Sequence, residues 1–300
     1  MEETQRKSMK WVASVLLFAM TAFIVSSCKD SETFSSENAQ TSNNESTQEA
    51  TTDEVDDMAV SALNSGDNAG GRVQTTDDRL ACATVEVVFD NPDTKVSGTA
   101  TINFGTSGCT DSRGNVRKGT IVIAWTGGRW FLEGASHTIT LTNYSINGVS
   151  ITGTRTITCT SSTATASGFT ITWNVAASHN LTWPDNTTAS REVNKTKVWA
   201  HTLTEDTFTI SNGPGGAVAA AGTNRHGKVY TMTITTPIVY LRTCAMSNKV
   251  FLPVSGVKVV TADQRVLTID FGNGTCDNTF TVTVNGISRT LTAKNDSSGD

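Results

Sequence analysis

From about residue 77 onward, apolar and polar residues alternate with a period of two, and that alternation restricts the chain to β-strands. GFTITWNVA shows it most plainly. Phe169, Ile171, Trp173 and Val175 share one parity, and Thr170, Thr172 and Asn174 the other. Successive side chains of a strand point to opposite faces, so such a segment has one face for a core and one for water. KGTIVIAW, HTITLTNY, VSITGTRTITC, KVYTMTITTPIVYL, QRVLTIDF and NTFTVTVNG read the same way. Asn147-Gly148, Asn212-Gly213, Asn273-Gly274 and Asn285-Gly286 predict tight turns, because both residue types tolerate the positive φ of hairpin loops. No helical period is legible after Gly66. The expected fold is all-β: an antiparallel meander rolled into a β-sandwich or open barrel, as one domain over 77–295. A domain of that length buries a substantial core unaided. Threonine dominates the polar parity, as suits a solvated sheet surface. A flat Thr/Trp face for a repetitive ligand such as a glycan is the sharper alternative.

The preceding stretch has a different composition. Between Lys29 and Asp78 there are 12 acidic and 2 basic residues, whereas Arg79 to the end holds 14 acidic and 18 basic. Rich in Ser, Thr, Asn, Gln and Glu, residues 28–76 bury too little apolar surface to offset the entropy of ordering, and read as a disordered acidic tether. Within it, Val55, Met58, Ala59, Ala62 and Leu63 stand at helical spacing and predict a short helix over 53–64.

At the amino terminus, Arg6, Lys7 and Lys10 precede an apolar run from Trp11 to Val25, which ends in Val25-Ser26-Ser27-Cys28. The run of about 15 residues is shorter than the roughly 20 that a membrane span needs. The order aliphatic, small, small, cysteine resembles the bacterial lipobox. That resemblance implies a signal peptide over 1–27, cleavage before Cys28 and lipid on its thiol, so that the membrane is a partner through the amino-terminal lipid. The alternative is an uncleaved signal anchor with a chance cysteine. The polar, acidic CKDSETFSSE that follows resembles the export signal of Bacteroidota surface lipoproteins. It implies the outer membrane and the cell surface, with a periplasm-facing site as the alternative.

Five further cysteines follow, and an exported protein matures where they oxidise. TINFGTSGC, ending at Cys109, and TIDFGNGTC, ending at Cys276, are near copies, each preceded by a lone cysteine, Cys82 and Cys244. The simplest pairing is Cys82 with Cys109 and Cys244 with Cys276, leaving Cys159 as a buried strand residue. A bridge involving Cys159 is the alternative. The elements FGTSGC (Phe104–Cys109), D-x-x-G-x-x-R-K-G (Asp111–Gly119) and DFG-x-G-x-CDN (Asp270–Asn278) resemble those of a family of Bacteroidota outer-membrane lipoproteins, over most of Leu80–Leu291. The resemblance implies an exported all-β domain and brings no activity with it.

No concentrated chemistry is legible. The DFG at Asp270–Gly272 lacks the glycine loop and catalytic loop of a kinase. Asp111 and Asn115 make a fragment of a Ca²⁺ loop at most, without the bidentate glutamate, and fit a turn closed by an Asx hydrogen bond. Asp270, Asp277 and Asn278 form a second small polar cluster. His137, His179, His201 and His226 are at no metal-ligand spacing. Glu133, Asp185, Glu192 and Glu205 are the carboxylates from which a glycosidase pair could be assembled. Trp125 and Trp173 fall in register with apolar neighbours, while Trp130 and Trp183 sit at turns and are the candidates for stacking on a sugar. The small, dispersed positive excess of the domain does not indicate nucleic acid. The expectation is a cell-envelope lipoprotein without catalytic residues, metal or cofactor, acting as a binding or structural module for a glycan or protein partner. The alternative is a hydrolase of polysaccharide or peptide on the exported side.

Overall fold

The computed structural model describes residues 54–65 and 71–292, apart from positions 74, 76, 113, 217, 249, 251, 263 and 264. Fifteen strands follow one another: β1 (Gly71–Val73), β2 (Thr84–Phe89), β3 (Gly98–Thr110), β4 (Val116–Thr126), β5 (Ser136–Ile146), β6 (Val149–Thr165), β7 (Gly168–Thr182) and β8 (Thr188–Thr202). Then come β9 (Asp206–Asn212), β10 (Ala220–Thr223), β11 (Val229–Leu241), β12 (Ser255–Ala262), β13 (Arg265–Asn273), β14 (Thr279–Val284) and β15 (Ile287–Thr292). All belong to one antiparallel sheet, ordered as in the sequence, with β1 and β15 at its two ends. The protein is thus all-β and a meander, as the alternation predicts.

The register gathers the apolar parity onto one face. One line of paired residues runs Val87, Ala100, Ile123, Ile139, Arg155, Ala177, Val193, Ala220, Met232, Val260, Leu267, Val284. Every member is buried, and the apolar ones belong to a single core. Strands lie about 4.8 Å apart, so a flat sheet of this many would be far too wide for its ends to share a core. The sheet is therefore rolled, with this face inside. Two devices bend it. Asn143 is an extra residue in β5 at positive φ, opposite Gly119 of β4, and it shifts the inward parity from Leu141 to Tyr144. A Cβ on Gly119 would lie 2.1 Å from the Asn143 carbonyl oxygen, so only glycine fits this bulge. Second, β9 and β10 lie end to end between β8 and β11, sharing the place of one strand. Asn212 bridges the break: its Nδ2 donates to Ile234 O at 3.0 Å and its Oδ1 accepts from Ile234 N at 2.9 Å.

Asn147-Gly148 and Asn285-Gly286 form two-residue hairpins at positive φ, joining β5 to β6 and β14 to β15. Asn212-Gly213 is not a hairpin turn. It ends β9, and its glycine is there because Asn194 approaches so closely that a Cβ would meet Oδ1 at 1.7 Å. Disulfides join Cys82 to Cys109 and Cys244 to Cys276, and Cys159 is unpaired and buried. A short helix, Arg242–Ser247, carries Cys244, although no helix was expected after Gly66.

The expected boundary at residue 77 needs correction. Residues 54–65 are helical, and β1 already pairs with β2 before that point. The helix does not belong to a tether, because it lies inside the rolled sheet. Val55, Met58, Ala59 and Ala62 are buried, and so are the acids Glu54, Asp56 and Asp57. Composition suggested solvated acids, but their countercharges stand on the inward parity of the strands. Residues 28–53, including Cys28, and the signal segment 1–27 lie outside the described residues.

Candidate functional site

The inner face of the sheet carries a basic floor. Arg117 of β4, Arg155 of β6, and Arg191, Lys195 and Lys197 of β8 all point inward and are buried. Lys and Arg are almost never enclosed without countercharges. Much of the compensation comes from the inner helix, residues 54–65. Asp56 lies between two cations: its Oδ2 accepts from Arg155 Nη2 at 2.6 Å and from Lys197 Nζ at 3.0 Å. Glu54 accepts from Arg117, whose other arm reaches Asp111 Oδ2 at 2.5 Å. Asp57 is 3.7 Å from Arg79, which Asp77 holds at 2.6 Å.

His137 of β5 lies on the same floor. Burial, with Arg155 and Lys197 nearby, outweighs the attraction of Asp56 and brings its imidazole down to about 4, so it is neutral at ordinary pH.

Beside Leu63 and Asn64 of the helix, the inner face opens into a cleft of about 480 Å³. Leu63 and Asn64 of the helix, Val87 and Phe89 of β2, and Trp125 of β4 line it, together with Lys95, Arg129, Trp130 and Phe131 of the neighbouring loops. Its walls are aromatic and aliphatic, and it has two exposed cations, Lys95 and Arg129. Lys95 Nζ stands 5.2 Å over the Phe89 ring, and the Arg129 guanidinium 5.9 Å over Phe131. Volume and lining match those of small-molecule sites, which are concave and mostly apolar with a few placed polar groups.

The stacking role expected for Trp130 and Trp183 does not survive. They are 9% and 8% exposed. Trp130 is covered by Trp173, stacked at 5.5 Å, and its Nε1 donates to Asn64 Oδ1 at 3.1 Å, so only an edge borders the cleft. The Arg225 guanidinium sits 4.8 Å over Trp183. Hairpin and core packing took both rings, because a turn tryptophan on a rolled sheet gains more by covering the end of the core than by facing water.

The candidate carboxylates do not converge. Asp185 and Glu205 flank opposite ends of β8, a strand of 15 residues and about 45 Å. Asp185 is held down to about 2 by the hydroxyl and amide of Thr187, and then by Arg225, which suits an ion-pair partner and not a proton donor. Glu192 accepts from Ser178 on the outer face, and Glu133 sits exposed in the β4–β5 loop. Asp111 closes its turn by accepting from Asn115 N at 2.9 Å. Asp270 and Asp277 likewise accept from the amides of Gly272 and Thr279. His201 is bonded to Asp206 and stacked on Phe169, and His226 is in the β10–β11 turn. Among the described residues no group of three His, Cys, Asp or Glu could hold a metal ion.

The basic floor was missed by the sequence reading, yet a signal existed. In ITGTRTITC, Arg155 shares the parity of Ile151, Ile157 and Cys159. In ASREVNKTKVW, Arg191, Lys195 and Lys197 share that of Ala189, Val193 and Trp199. Cations on a core parity announce a charged partner inside the fold. The cleft had no such signal, since its lining comes from four separate segments. No family model, curated protein or solved structure matches the chain.

Proposed function

We propose that this chain is an envelope lipoprotein, anchored through Cys28 at the outer membrane of a Bacteroidota-type cell, whose β domain is a non-enzymatic binding module for a small apolar ligand bearing an anionic group. The observation that carries the ligand class is the cleft, with aromatic walls and two exposed cations, Lys95 and Arg129, at its rim. The two disulfides support maturation in an oxidising compartment. The lipobox-like Val25–Cys28 supports the anchor. An apolar body would fill the walls, where burial contributes about 25 cal/mol per Å². The rim cations would take the anion and raise the rate of encounter.

The test uses the full chain in phosphatidylcholine nanodiscs and labelled dodecanoate as the probe. Binding above that of empty nanodiscs is expected, weakened about tenfold in the Lys95→Ala/Arg129→Ala double variant, since two exposed charge contacts contribute roughly 0.5–1 kcal/mol each. Ethyl dodecanoate should bind no better than dodecanoate does to that variant. No excess over empty nanodiscs rules the reading out. The anchor is checked by mass spectrometry of the purified chain, which should show Cys28 as an acylated first residue.

A further inference from the structure

The inner helix, residues 54–65, packs on the basic floor inside the rolled sheet, with every side chain from Glu54 to Ala59 buried. Its backbone hydrogen bonds are internal, and no strand of the sheet pairs with it. Among the described residues side chains hold it: an apolar stripe of Val55, Met58, Ala59 and Ala62, and carboxylates on Arg117, Arg155, Lys197 and Arg79. Helix-in-groove recognition takes this form, with apolar anchors at i, i+3, i+4 and i+7. In proteins most helical stability comes from tertiary packing, and the described residues 54–65 carry their buried apolar stripe against the sheet, so the segment owes its order to docking.

The floor is unlike an ordinary core. A sheet needing only to bury a helix would meet it with apolar residues, and replacing buried ion pairs by such residues is often neutral or stabilising. Arg155 interrupts an otherwise apolar line that runs from β2 to β14. Charges placed there contribute little net stability, but they select an acidic helix over a neutral one and let the face meet water when uncovered.

We propose that the basic inner face of β4–β8 is a docking site for an acidic amphipathic helix of a partner protein, and that residues 54–65 occupy it as the competing segment in cis. The charge complementarity of Asp56 with Arg155 and Lys197 fixes the partner's chemistry: a carboxylate flanked by apolar residues one position before it and two after it. The proposal shares Leu63 and Asn64 with the cleft lining but not the cleft's cations, which are at the rim and not on the floor. A helix in cis competes at an effective concentration in the millimolar range, so a partner gains access where the cis helix is weakened or drawn away.

The probe is a fluorescein-labelled peptide of residues 51–67, added to the full chain in nanodiscs. Wild-type chain should bind it weakly. Asp56→Asn in the chain removes the bridge to Arg155 and Lys197 from the competitor while leaving both cations in place, and should tighten peptide binding about tenfold or more. The same substitution in the peptide should abolish the gain. In ¹⁵N-labelled wild-type chain, which needs no substitution to fold, excess unlabelled peptide should speed hydrogen exchange across residues 54–65 and leave β6–β8 protected. Equal binding to both chains, or exchange in 54–65 unchanged at saturating peptide, overturns the proposal. A dimer that exchanges its own helices and excludes the peptide assigns the site to a second copy and overturns it equally. Loss of dodecanoate binding with peptide exchange intact would remove only the cleft reading.

Discussion

His137 shows how one enclosed side chain couples the core to pH. Its folded value near 4 lies below the ordinary histidine value of 6.5, because protonation would place a cation in a buried site already holding Arg155 and Lys197. A depressed value means that the unfolded chain binds the proton more readily. The stabilisation is therefore complete above 6.5 and is lost as pH falls from 6.5 toward 4. Between pH 7 and pH 4.5 the loss amounts to about 2–3 kcal/mol. Urea unfolding at the two pH values should show that difference in the wild type and a smaller one in His137→Gln; equal slopes would mean that other groups carry the acid sensitivity. Cys159 is simpler. Burial pushes its thiol up to about 11, so iodoacetamide should label it only after unfolding. Rapid labelling of the native chain would show that the site opens.

Strand pairing explains the bends as well as the ladders. The break between β9 and β10 holds because Asn212 reproduces with one amide the two hydrogen bonds that a continuous strand would give Ile234. Asn212→Ala should leave both backbone groups of Ile234 without that partner and cost about 1–3 kcal/mol in thermal or denaturant unfolding. A variant of unchanged stability would show that water replaces the side chain there. The disulfides act at the same scale. Each closes a hairpin-sized loop, with sequence separations of 27 and 32. In the chain-entropy model each contributes about 3–4 kcal/mol, so reduction should lower the melting temperature, and paired Cys→Ala variants should each reproduce part of the shift. Their spacing was legible because the Phe-Gly…Cys element is repeated, whereas the Asn212-Gly213 break was not, because an Asn-Gly pair reads as a turn whatever it does.

For the whole molecule, the relevant dimension is the enclosed volume of the rolled sheet. A meander of this length curls around more space than its own side chains fill, and the inner helix takes up the remainder. Weakening that helix should loosen the interior while the ladders persist. Asp56→Asn should speed amide exchange in 54–65 more than in β6–β8, and uniform loss of protection would indicate that helix and sheet unfold as one unit. The sequence by itself determined the all-β class, the strand parities and the turns at Asn147 and Asn285, because alternation and positive-φ residues act locally and each strand states its own faces. It also implied the cysteine pairing through an internal repeat. Only the tertiary structure decided that the acidic helix lies inside, that Trp130 and Trp183 cover core and not ligand, and that Lys95, Arg129 and Phe89 share one cleft. Those outcomes depend on how far a long sheet curls and on which distant charges it encloses, and neither is written in any single stretch of chain.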